Sequence, residues 1–235
     1  MKRIPVLSLV LGALALFVFS HPGWTQALEM NRVALAQGEL WRFFTGHFTH
    51  FTADHLKWDV TVFVALGGLV ELRSRKHFVA ILAGGALAIS LGVWWLQPQF
   101  VSYRGLSGLD SALFGYIAAD IFKLARTEGR RVPAAAAVLA MTLFVAKIVF
   151  ELVSGHAFFV ESSAAFAPVP LAHLIGALVG CVACWEISPN HSQRGGSGAR
   201  SGDPGISHDE IIPLADDGPR RRIERLERFA AGQRS

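Results

Sequence analysis

Residues 105–119 read Gly-Leu-Ser-Gly-Leu-Asp-Ser-Ala-Leu-Phe-Gly-Tyr-Ile-Ala-Ala, a serine held between glycines at the head of an apolar run. The run reaches Ala125 but meets Asp120 first, so its apolar part is short for a helix crossing about 30 Å of hydrocarbon. Its flexible opening, Gly105-Leu106-Ser107-Gly108, is a poor place to enter lipid from water. Irregular backbone at membrane depth is tolerated only where protein or a water-filled cavity surrounds it. The stretch therefore predicts that the Gln97–Leu106 loop dips into a helical bundle. The helix would begin partway down, with Ser107 at the floor of a cavity open to the outer face.

Outward from this stretch, five further apolar runs appear. The six candidate spans are Ile4–Ser20, Asp54–Leu72, Phe78–Leu96, Ser107–Ala125, Val132–Val153 and Pro170–Glu186. Apolar residues make up 52% of the chain and charged residues 17%, against roughly a quarter charged in soluble domains. Basic residues alternate between connections. Lys2 and Arg3 precede span one, Arg73, Arg75 and Lys76 follow span two, Lys123, Arg126, Arg130 and Arg131 follow span four, and an arginine-rich tail follows span six. The remaining connections carry only Arg32, Arg42 and Arg104. The positive-inside rule then puts both termini in the cytoplasm. The net charge of +4 is accounted for by topology and gives no ground for a nucleic-acid partner. Met1-Lys2-Arg3 and the apolar run behind it start like a signal peptide, but no small-x-small site follows, so the run reads as an uncleaved first span. Cys181 and Cys184, one turn apart in the last span, read as small packing residues.

Residues 1–187 thus form an all-α, six-span membrane domain, and residues 188–235 a flexible cytoplasmic tail. Ser188–Pro219 is rich in Ser, Gly, Asp and Pro and reads as a linker. Ile223, Leu226 and Phe229 recur at three-residue spacing and suit a short amphipathic helix.

Polar residues within spans are expensive and mark function. His55 and Asp59, four apart, share one face of helix two. His173 sits in the stretch Ala172-His173-Leu174-Ile175-Gly176, with Gly180 beyond. Ala172, Gly176 and Gly180 make a small-residue stripe that permits close backbone approach. Gly108, Ala112, Gly115 and Ala119 make another on the serine helix. Packing one stripe on the other would bring Ser107 and His173 within hydrogen-bond reach. A serine needs such a base to become nucleophilic, and a neutral imidazole suits the role. The tetrahedral intermediate needs donors, for which the Ser107 and Leu106 amides and the His55 side chain are candidates.

With these motifs together, the chain resembles the rhomboid intramembrane proteases over Glu39–Glu186. The residues that carry the likeness are Trp41-Arg42, the series His50, His55 and Asp59, Gly67-Gly68 with Glu71, Gly105-Leu106-Ser107-Gly108, and Ala172-His173 with Gly176 and Gly180. The resemblance implies a six-helix bundle in which Ser107 is the nucleophile, His173 the base and His55 an oxyanion donor. Trp41, Arg42, Glu71, Gly176 and Gly180 would be structural, and Gly105, Leu106, Gly108, His50 and Asp59 would support the site. It implies no cofactor and no metal, membrane-anchored single-span substrates cut near the outer face, and a bacterial inner membrane location. The short Gly-Leu-Ser-Gly form also resembles the rhombosortase subgroup. Two positions depart from the family pattern. Asp59 stands for an asparagine and Ser111 for an aromatic, while Asp110 adds an acid. An ionised carboxylate beside an oxyanion would repel it, so Asp59 is protonated, turned away, or a handicap.

Two other classes compete. An inactive rhomboid-like protein would bind transmembrane clients without cutting them, and its usual mark is loss of the dyad, which is intact here. A metal or haem protein would use His47, His50, His55, Asp54 and Asp59, but those histidines form no i, i+4 pair on one helix.

Overall fold

The computed structural model describes residues 4–155 and 169–187, so the proposed tail and its amphipathic helix lie outside the described residues. Six long helices follow the six apolar runs to within a few residues. They are α1 (Val6–Phe19), α5 (Ala53–Arg73), α6 (Arg75–Leu96), α7 (Ser107–Thr127), α8 (Arg131–Ser154) and α9 (Pro170–Ile187). Between α1 and α5 lies structure that hydropathy does not announce: α2 (Pro22–Leu28), β1 (Met30–Asn31), α3 (Arg32–Ala36), α4 (Arg42–Thr45) and a 3₁₀ turn, Gly46–Phe48. The all-α expectation needs one correction. Met30 and Asn31 pair antiparallel with Tyr103 and Ser102 of β2 (Ser102–Tyr103), tying the first connection to the loop before α7. Two-residue strands carry too little periodicity to read from sequence.

Local chemistry explains the helix boundaries. The Thr52 and Ser74 side chains accept the His55 and His77 amides and so cap α5 and α6. Asn31 accepts the Val33 and Ala34 amides at the start of α3. At the far end of α6, Arg32 donates to the carbonyls of Val93, Trp94, Gln97 and Phe100 and stacks over Trp94. The Val93 oxygen also accepts the Gln97 amide and the Gln97 oxygen the Phe100 amide, so one guanidinium gathers four carbonyls where the helix ends and its own ladder runs out.

Burial is inverted along α8. At its end Leu152 and Val153 are 71% and 82% exposed while Glu151, just before them, is 3% exposed. A helix in water would place these residues the other way round. Such a helix fits a surrounding that is itself apolar. By length and composition, α6 and α8 are each sufficient to cross a membrane, and α1 and α9 are shorter apolar helices. Apolar length therefore singles out two helices rather than six. The reason lies in α5 and α7, which carry Asp54, Lys57, Asp59, Glu71 and Arg73 and Asp110, Asp120, Lys123 and Arg126.

Glu71 fastens the two ends of the first helix pair. Its carboxylate accepts the Leu7 and Ser8 amides and the Ser8 hydroxyl at 2.8–3.0 Å. Charge at a helix N-terminus is favourable, and here it joins the start of α1 to the end of α5. The core itself is built from Phe63, Phe78, Ile81, Ile89, Leu106, Leu109 and Leu113, all buried between α5, α6 and α7.

Candidate active site

The small-residue stripes of α7 and α9 meet. A Cβ on Gly176 would overlap the Gly108 carbonyl oxygen, and one on Gly180 would overlap that of Ala112. One on Gly115 would overlap the Ala177 carbonyl. Moving four residues along α9, from Gly176 to Gly180, moves the contact four residues along α7, from Gly108 to Ala112. The helices therefore run parallel and in register. One turn before Gly176 is His173, level with Ser107. Ser107 opens α7 and His173 lies in the first turn of α9, at the same end of the bundle.

Ser107 is the half-buried residue between buried Leu106 and Gly108, so its side chain stays reachable while its neighbours pack. Gly105 has φ of 124°, a region L side chains rarely adopt. A Cβ there would also lie 2.8 Å from His55 Nε2 and 3.1 Å from Asp59 Oδ2. Glycine is required at 105 on both counts, conformation and space.

Asp59 is not turned away from the serine. Its Oδ2 accepts the Ser107 amide at 3.1 Å. The same oxygen lies 3.2 Å from His50 Nε2 and 3.2 Å from His55 Nε2. Two of the groups expected to hold an oxyanion, the Ser107 N–H and His55, are therefore directed at a carboxylate oxygen. Ser111, where an aromatic was expected, donates its hydroxyl to the Ser107 carbonyl at 2.7 Å. Asp110 Oδ1 and Tyr103 Oη are buried and carry no hydrogen bond among the described residues.

No hydrogen bond joins Ser107 to His173 among the described residues. Catalytic hydrogen bonds are often long in unliganded enzymes and tighten with substrate. The His173 ring has a partner on α8: Nδ1 lies 3.2 Å from Glu151 Oε2, and Lys147 Nζ lies 2.7 Å from Glu151 Oε1. Sequence reading missed Glu151 and Lys147. The signal was present, a Glu–Lys pair four residues apart within span five, where each charge is expensive.

The remaining motif residues are structural in their contacts. Arg42 is buried and donates to the Gln26 and Glu29 carbonyls and to Glu39. Arg104 pairs with Glu29 at 2.6 Å and lies over the Phe51 ring. Leu106 and Ala172 are buried in the core, whereas Trp41 is exposed. His47, a candidate ligand by composition, is instead within hydrogen-bond distance of the Ala86 carbonyl and the Ser90 hydroxyl on α6. Cys184 is buried and Cys181 partly so, both as free thiols.

Comparison with known proteins gives a match to the Rhomboid domain over residues 37–190, more than half of the chain. The rhomboid protease GlpG of Salmonella paratyphi A is 29% identical over 160 residues, covering 66% of this chain and 51% of that protein. GlpG of Salmonella choleraesuis is 35% identical over 83 residues, covering 34% and 28%. YdcA of Bacillus subtilis, named as a candidate rhomboid protease, is 25% identical over 122 residues, covering 48% and 61%. The chain thus spans less than two thirds of the length of these relatives.

Proposed function

The chain belongs to the rhomboid family, and from that premise we propose that it is an intramembrane serine endopeptidase. It would cut membrane-anchored, single-span proteins near the outer face. In this reading the six long helices all cross the bilayer, in a bacterial inner membrane, with both termini cytoplasmic.

The observation that carries the proposal is the interlock of Gly176 and Gly180 with the α7 backbone, which sets His173 level with Ser107. Ser107 Oγ attacks the scissile carbonyl carbon while His173 takes its proton. The C–N bond then breaks, His173 returns the proton to the leaving amine, and an acyl-enzyme remains. Water activated by the same imidazole hydrolyses the ester and frees Ser107. The chemistry needs no cofactor. The Ser107 and Leu106 amides with His55 are the donors for the oxyanion, which requires Asp59 to release them.

That last requirement supports a second reading, an inactive rhomboid-like protein that binds transmembrane clients. Asp59 occupies the Ser107 amide, and a permanent carboxylate there would repel an oxyanion.

A fluorophosphonate probe and a model single-span substrate in proteoliposomes separate the two readings. The protease reading expects labelling and cleavage by the native protein, and loss of both in Ser107→Ala and in His173→Ala with folding retained. Cleavage that survives Ser107→Ala would sink it. Binding of the substrate without labelling or cleavage would establish the second reading.

A further inference from the structure

We propose that Glu151 is a positioning residue for the base, so that the site is a serine–histidine–glutamate triad drawn from three helices. The proposal rests on the protease reading above and adds to it a residue from α8.

The register of the helices supplies the first support. Phe114 of α7 and Phe144 of α8 face each other with ring centroids 5.0 Å apart. The two helices are consecutive and antiparallel. Seven residues back from Phe114 is Ser107, and seven residues on from Phe144 is Glu151. Both steps are about two turns, so Glu151 lies at the depth of Ser107. The α7–α9 register puts His173 at that depth as well. All three residues lie at one end of the bundle.

The second support is chemical. Glu151 is an acid on a helix whose neighbouring side chains are exposed and apolar, yet its own side chain is 2% exposed. Its Oε2 is 3.2 Å from His173 Nδ1. A carboxylate accepts there only from a protonated Nδ1, which leaves the lone pair on Nε2, the opposite side of the ring. Without that acceptor the neutral ring is free to carry its proton on Nε2 and then has no lone pair there to act as base. The same contact stabilises the imidazolium formed when Ser107 gives up its proton. Lys147 serves the arrangement from one turn away, compensating the charge on Oε1 at 2.7 Å.

A plain ion pair would explain Lys147 and Glu151 but not the third contact. Two apolar residues at these positions would suit a membrane helix better than a pair of charges. The charges are explained by the histidine they hold.

The test compares native protein, Ser107→Ala, Glu151→Gln, Glu151→Asp and the neutral pair Lys147→Met/Glu151→Leu, each in proteoliposomes with a single-span substrate. Thermal unfolding controls for folding. Nitrogen-15 spectra of histidine-labelled protein, with His173→Ala identifying the signal, report which ring nitrogen holds the proton.

Native protein should show His173 protonated at Nδ1. Glu151→Gln should lose about 10²–10⁴-fold in kcat with KM unchanged and show a mixed tautomer. Glu151→Asp should restore part of kcat. The neutral pair should be as stable as the native protein and still lose kcat, which keeps the test decisive if Glu151→Gln fails to fold. Native kcat in either Glu151→Gln or the neutral pair overturns the proposal, whatever the tautomer. Cleavage retained in Ser107→Ala instead overturns the protease reading, and the triad with it. Glu151 alone is discarded where Ser107→Ala is dead and the Glu151 variants are fully active.

Discussion

Asp59 Oδ2 accepts the backbone N–H of Ser107 at 3.1 Å, so the amide best placed to bind an oxyanion already holds a carboxylate. His50 and His55 point Nε2 at the same oxygen. The resting site is thus organised around one carboxyl oxygen.

Replacing Asp59 with asparagine removes that charge at almost constant volume and offers an N–H in its place. Asp59→Asn should raise kcat at neutral pH by about 10-fold or more, given that one oxyanion donor contributes about 10²–10³. Initial rates on a single-span substrate in proteoliposomes measure it. A fall in rate with folding intact would mean that the carboxylate has a positive role in the chemistry.

Asp59→Ala should act differently. It takes the acceptor away from buried His50, at about 1–3 kcal/mol for a buried group left unpaired. Expected is a lower unfolding temperature, read by thermal unfolding in detergent.

Gly180→Ala should be severe. The added methyl would overlap the Ala112 carbonyl and sit 2.7 Å from the Tyr116 amide, both backbone atoms that cannot step aside. Forcing α9 from α7 separates His173 from Ser107, and about 1 Å of misplacement costs on the order of 10²-fold in rate. The matched control is Gly84→Ala on α6, where nothing lies within 4 Å of the new Cβ. That variant should keep full activity and gain about 0.5–1 kcal/mol. Equal behaviour of the two variants would refute the interlock.

Glu71→Gln should lower stability without touching chemistry. An amide replaces a carboxylate that takes three hydrogen bonds from Leu7 and Ser8, and charge-assisted bonds of this kind contribute about 1.5–3 kcal/mol each. The unfolding temperature should fall while kcat below the transition stays at the native value. A large kcat loss in folded protein would show that the α1–α5 clasp reaches the active site.

The sequence by itself determined the six long helices and one of their contacts. Apolar length and charge interruptions are local properties, so the six runs locate α1 and α5–α9 to within a few residues. Small residues at four-residue spacing pointed to the α7–α9 interface, because only glycine and alanine let two backbones approach so closely. The tertiary structure alone decided where the ionisable groups point. Periodicity gives the face a residue occupies, but not its rotation against a neighbour to within an ångström. A hydrogen bond at 3.1 Å between Asp59 and Ser107, 48 residues apart, requires that accuracy. So does the pairing of Glu151 with His173 across two helices. The short strands Met30–Asn31 and Ser102–Tyr103 were illegible for the same reason, since each is defined by the other rather than by its own residues. Local sequence set the helices, and packing among them set the environment of the serine.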